Sequence, residues 1–188
     1  ALRGLRREVE MLGRLNHPIV VRGFHADTGG AQPYVALEYL PGPRLSTLLR
    51  KHGPLATEQL VALAVDLSSA LHYLHACEVV HLDVKPSNII MDAAPRLIDL
   101  SVARSTEAAA HLDHVVGTDR YMAPEQCDPP RSGVPGPASD VWGLGVTLYE
   151  AVCGSRPYGD QPATEALPAR MPEAVDAALA DPIMACLS

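Results

Sequence analysis

Apolar residues recur three or four positions apart at Leu2, Leu5, Val9, Leu12 and Leu15. This is the repeat of an amphipathic helix, predicted over 2–16. Asn16-His17-Pro18 ends it, because proline restricts its predecessor and lacks the N–H that another turn would need. Two β-rich runs follow, 19–24 and 34–39, separated by the turn-forming Asp27-Thr28-Gly29-Gly30. Together they predict a hairpin. Pro41-Gly42-Pro43 then breaks the chain and reads as a short linker.

Beyond it the periodicity becomes helical. A helix is predicted over 45–52, a break at Gly53-Pro54, and a long helix over 57–76 with Thr57 as its N-cap. Leu60, Leu63, Ala64, Leu67, Leu71 and Leu74 form its apolar stripe. Short strand-like runs at 79–80, 89–91 and 96–98 precede a loop-rich stretch that is dense in Pro and Gly over 128–137. The apolar run 141–152 predicts a buried central helix, and the tail predicts helix at 172–180, resuming at 183–187. No internal repeat is visible. The order is a small helix-plus-strand segment, a Pro-Gly hinge and a larger helical body.

Composition narrows the function classes. The 188 residues are 47% hydrophobic and 20% charged, ordinary for a globular protein. No apolar run approaches the roughly 18 residues a membrane-spanning helix needs, and residues 1–8 lack the apolar stretch of a signal peptide. A cytoplasmic location is therefore expected, with any membrane anchor lying outside this sequence. The net charge of −7 argues against a general nucleic-acid binder. Cys77, Cys127, Cys153 and Cys186 show neither CxxC nor CxxH spacing, so reduced thiols are expected rather than disulfides or zinc. The Arg-, Ala- and Pro-rich style points to a high-GC bacterial gene.

The chemistry concentrates in His81-Leu82-Asp83-Val84-Lys85-Pro86-Ser87-Asn88, followed by Asp99-Leu100-Ser101. A carboxylate, a cation two residues on, an amide and a second carboxylate form the set that phosphoryl transfer requires. One carboxylate orients an attacking hydroxyl, a lysine neutralises the moving phosphoryl group, and oxygen ligands hold magnesium against the phosphates.

From Leu2 nearly to its end the chain resembles the protein-kinase family. The loop is similar to the catalytic loop H-R-D-x-K-x-x-N, and Asp99-Leu100-Ser101 stands where D-F-G belongs. Ala123-Pro124-Glu125 matches A-P-E, the run from Gly117 to Met122 matches its lead-in in Ser/Thr kinases, and Ser139–Asp140 looks like the start of the central helix. The resemblance implies an α+β fold. Residues 1–40 would be a partial small lobe from helix C to the hinge, and 41–188 a mostly helical large lobe ending before its last helices.

The resemblance also implies roles. Asp83 would be the catalytic base, Lys85 would meet the γ-phosphate of ATP, and Asn88 and Asp99 would hold Mg2+. Thr118, near Asp83 and Lys85, would favour serine and threonine over tyrosine substrates. Glu8 would be the helix-C glutamate and Leu37 the gatekeeper. The backbone of Glu38 and Leu40 would pair with adenine, and Ile90 would complete the nucleotide site. Asp140 would anchor the catalytic-loop backbone. The implied partners are proteins bearing serine or threonine, with no nucleic acid; dimerisation is left open.

Several positions depart from the pattern. Seven residues precede Glu8, too few for a glycine-rich loop or the strand lysine that pairs with it, and the only lysines, Lys51 and Lys85, lie downstream. The sequence is expected to be a fragment that by itself binds ATP weakly. Leu82 replaces the arginine that usually grips an activation-loop phosphate, which predicts activity independent of that phosphate. Ser101 replaces a glycine, costing backbone freedom. An active Ser/Thr kinase is the first reading. A pseudokinase or kinase-fold scaffold is the second, supported by these departures and opposed by the retention of Asp83, Lys85, Asn88 and Asp99.

Overall fold

The computed structural model describes residues 2–159, 168 and 170–188. Helix α1 spans Leu2–Leu12, four residues less than the apolar repeat predicts. It ends at Gly13, a poor helix former, where the following N–H groups of Arg14 and Leu15 switch to carbonyls three residues back. Met11, Leu12 and Leu15 are nonetheless buried, so the apolar repeat continues past the helical hydrogen bonding.

The predicted hairpin forms with shifted edges. Strands β1 (Gly23–Asp27) and β2 (Tyr34–Leu37) pair antiparallel from Gly23↔Leu37 to Asp27↔Tyr34. Asp27 Oδ1 accepts the Gly29 and Gly30 N–H groups in the turn, at 2.9 and 3.0 Å. Residues 19–21 do not belong to the hairpin. They lie beside strand β5 (Pro95–Leu97), with Leu97 N–H donating to Ile19 C=O and Val21 N–H to Leu97 C=O. Their apolar side chains are buried there.

Pro41-Gly42-Pro43 is no free linker. Met91 N–H donates to Pro43 C=O at 2.8 Å, and a Cβ on Gly42 would lie 2.0 Å from Met91 C=O. Helix α2 (Leu45–His52) and helix α3 (Thr57–Ala76) follow as predicted. Thr57 is the first helical residue and not the cap; Ala56 is the cap, its N–H donating to Gln59 Oε1.

Strands β3 (Val79–Val80) and β6 (Arg104–Ser105) form one short antiparallel pair; β4 (Ile89–Met91) and β5 form another. β5 starts one residue before the predicted run. Short helices α4 (Thr106–Ala110), α5 (Pro124–Cys127) and α6 (Pro129–Ser132) punctuate the loop-rich stretch. Helix α7 spans Pro137–Cys153, beginning four residues before the predicted apolar run because proline at its first turn is already set for a helix. The tail differs from expectation. A single helix α8 (Ala177–Ala185) carries Pro182 inside it, and Asp176 caps its start through Ala178 N–H.

The core lies where the leucines of α3 meet α7. Leu60, Leu63, Leu67 and Leu74 are essentially solvent-free, as are Val146 and Ala151 opposite them. Ile183 and Leu187 close the other side of α7. Among the described residues no helix is long and apolar enough to cross a membrane, and all four cysteines are free thiols.

Candidate active site

The loop between β3 and β4 is held from below. Asp140, buried near the start of α7, accepts the His81 N–H at 2.8 Å and the Leu82 N–H at 2.7 Å. His75 of α3 donates from Nε2 to the same carboxylate, 2.9 Å away. These bonds hold Leu82 at φ +64°, a left-handed conformation that a branched residue rarely adopts. The Leu82 side chain is buried with Val80, Ala109 and Val116 in an apolar cluster separate from the main core. The position expected to carry arginine thus fastens the 102–116 stretch by packing. Gln126 completes the support, donating to the carbonyls of Leu82 and Val116.

With its base fixed, the loop presents its polar groups to one another. Lys85 Nζ donates to Asp83 Oδ2 at 2.6 Å and to Thr118 Oγ1 at 2.5 Å. Thr118 Oγ1 in turn donates to Asp83 Oδ1 at 2.7 Å. Asn88 Nδ2 donates to Asp83 Oδ2 at 2.9 Å and to its backbone carbonyl at 3.0 Å. Asp83 is therefore a carboxylate oriented by three donors, charge-assisted on the lysine side.

Asp99 follows β5, beside this group. Ile98 N–H donates to Asn88 C=O at 2.9 Å, and the His81 ring bridges the Asp83 N–H and Ile98 C=O. Asp99 stands at φ +70°, and its Oδ1 accepts the Ser101 N–H and, at 2.6 Å, the Ser101 hydroxyl. The other carboxylate oxygen and the Asn88 side-chain carbonyl carry no hydrogen bond among the described residues. Both are hard oxygen donors and fit a magnesium ion, which takes few protein ligands when it shares phosphate oxygens.

Glu8 reaches this region from α1. Burial and the nearby Asp99 charge raise its carboxyl above the ordinary value, opposed by a hydrogen bond from the Leu100 backbone. Arg7 donates to Ser101 C=O at 3.3 Å, so two consecutive residues of α1 contact the 99–101 turn.

Leu37, Glu38 and Leu40 run along the connection out of β2. Glu38 N–H donates to Arg22 C=O, and its own carbonyl carries no hydrogen bond among the described residues. Leu37 is partly exposed, and Ile90 lies buried in β4. The structure thus gathers Asp83, Lys85, Asn88 and Thr118 into one hydrogen-bonded set with Asp99 adjoining. Leu37, Glu38, Leu40 and Ile90 take no part in that set.

Comparison with known proteins meets this geometry. The family described as Protein kinase domain matches residues 2–180. The chain belongs to the protein kinase family. It is 40% identical over 155 residues to the probable serine/threonine-protein kinase PkwA of Thermomonospora curvata, covering 81% of this chain and 20% of that protein. It is 35% identical over 173 residues to the serine/threonine-protein kinase PknB of Mycobacterium leprae, covering 86% of this chain and 27% of that one. The Mycolicibacterium smegmatis PknB is 34% identical over 174 residues, with 84% and 26% covered. The chain therefore spans about a quarter of the length of these relatives. Membership of this family implies ATP as phosphoryl donor, usually with a divalent metal.

Three supporting residues escaped the sequence reading. His75, Gln126 and Arg96 touch the site through backbone or carboxylate partners far along the chain, 65, 44 and 58 residues away for the longest contact of each. Their local sequence marks none of them.

Proposed function

We propose that this protein transfers the γ-phosphate of Mg-ATP to serine and threonine hydroxyls of proteins, with Asp83 as base. The observation that carries the reading is the Lys85–Thr118–Asp83–Asn88 hydrogen-bonded set. In it Asp83 accepts the hydroxyl proton of the substrate as the oxygen attacks, and Lys85 offers positive charge on the side where the phosphoryl group moves. Thr118, bonded to both, limits the depth available to the substrate side chain and so selects serine or threonine. Asn88 keeps Asp83 oriented through Nδ2 while its carbonyl, with Asp99, is placed to hold magnesium. That ion, when bound, neutralises charge on the phosphate oxygens. Glu8, Leu37, Glu38, Leu40 and Ile90 border the nucleotide, and the division into a small and a large lobe falls at residue 40. The scaffold reading loses ground because every polar group of the set is present and mutually bonded.

The test is transfer of radiolabelled γ-phosphate by the full-length protein and its Asp83→Asn variant. Acid-stable phosphoserine or phosphothreonine is expected from the parent, reduced about 10²- to 10⁴-fold in the variant. A folded parent that labels no substrate would favour the scaffold.

A further inference from the structure

Arg96 sits at the middle of β5, directly opposite Ile90 of β4, and its side chain is only 18% exposed. One guanidinium nitrogen, Nη2, serves two segments. It donates to Val20 C=O at 3.1 Å, and it pairs with Glu38 Oε1. Glu38 is itself 16% exposed and also accepts the Arg22 N–H at 2.6 Å, while its own N–H returns to Arg22 C=O. Glu38 and Arg22 therefore extend the β1–β2 hairpin by one rung, and Arg96 fastens that rung to the helical body.

We propose that Arg96 is a positioning residue for nucleotide binding. Its guanidinium holds the connection at Glu38 and Leu40 in register with the strand that carries Ile90. The proposal rests on the kinase reading above. Three lines of geometry support it. Arg96 ties together the segment after α1, the residue after β2 and β5, which are otherwise joined by few hydrogen bonds. Residue 97, its neighbour, binds Ile19 and Val21 through the backbone, so the strand is a fixed reference. Glu38 spends its N–H on Arg22, leaving its carbonyl without a hydrogen bond among the described residues, and its carboxylate is held by both the Arg22 N–H and Arg96, so residue 38 is fixed at backbone and side chain alike. Nη2 makes both contacts itself, so a lysine ammonium, with three donors on a shorter stem, would replace it only in part.

The experiment compares ADP affinity, kcat at saturating ATP and melting temperature in the full-length protein and in Arg96→Ala, Arg96→Lys, Glu38→Ala and the double Arg96→Ala/Glu38→Ala variant. Arg96→Ala should weaken ADP binding about three- to tenfold, with the loss falling on affinity rather than on kcat. Arg96→Lys should fall between parent and alanine, which keeps the proposal testable if the alanine variant does not fold. The double variant should lose no more than the larger single loss, since both act through one contact. Unchanged affinity in a parent that binds ADP would overturn the proposal alone. So would strictly additive losses, or a matched fall in affinity, kcat and melting temperature, which marks a merely structural pair. A folded parent without ADP affinity would overturn the kinase reading first, and this proposal with it.

Discussion

Leu82 at φ +64° costs on the order of 1–2 kcal/mol relative to a relaxed backbone. Two hydrogen bonds to the buried Asp140 carboxylate, each worth roughly 1.5–3 kcal/mol when a charged group accepts, are enough to hold it. Glu8 shows the opposite balance. Its carboxyl is raised by burial first and by Asp99 second, so the folded chain binds that proton more tightly than the unfolded chain does. The resulting stability is full below the ordinary carboxylate range and is lost as pH climbs through the raised value; at neutral pH an ionised Glu8 is a standing cost. Glu8→Gln should therefore raise the melting temperature of this chain at pH 7 and leave it nearly unchanged near pH 3. A lower melting temperature at pH 7 would mean that the Leu100 hydrogen bond outweighs burial.

Helix α7 carries the contacts that decide how the elements stack. A Cβ on Gly145 would stand 2.6 Å from Cys186 Cβ and 3.1 Å from Leu187, both in the chain that follows α8. Alanine ordinarily favours a helix over glycine by about 1 kcal/mol, but overpacking of this kind costs about 1–3 kcal/mol. The clash should win: Gly145→Ala is expected to lower stability in a denaturant titration, with the tail becoming the first segment to be proteolysed. Elements of this kind were also the most legible. The leucine stripe of α3 and the bounds of α2 and α3 could be read directly, because each is a local, periodic pattern. What periodicity could not reveal was partnership. Residues 19–21 have strand composition yet join β5 instead of the hairpin, and the tail keeps one helix through Pro182 because the pattern of burial there belongs to α7. The polar residues of the site were legible as a motif, whereas their supports, Arg96, His75 and Gln126, act across 44 or more residues and leave no local trace.

For the molecule as a whole, the two parts meet at Pro41-Gly42-Pro43, where Gly42 sits against the backbone of β4. A side chain at Gly42 would collide with the Met91 carbonyl at 2.0 Å, and a backbone atom cannot swing aside as a flexible side chain can. Gly42→Ala should therefore separate the hairpin part from the helical body. The expected result is weaker ADP binding together with a lower melting temperature, measured on the full-length protein; unchanged values of both would show that the junction yields without cost. The Asp140 bonds to residues 81 and 82 span 59 and 58 positions, and Thr118 reaches Asp83 across 35. During synthesis the loop bearing Asp83 leaves the ribosome well before α7 does. Until residue 140 emerges and docks, the Leu82 N–H lacks the carboxylate that accepts it, so the loop bearing Asp83 reaches its final arrangement only once the chain has been made through α7.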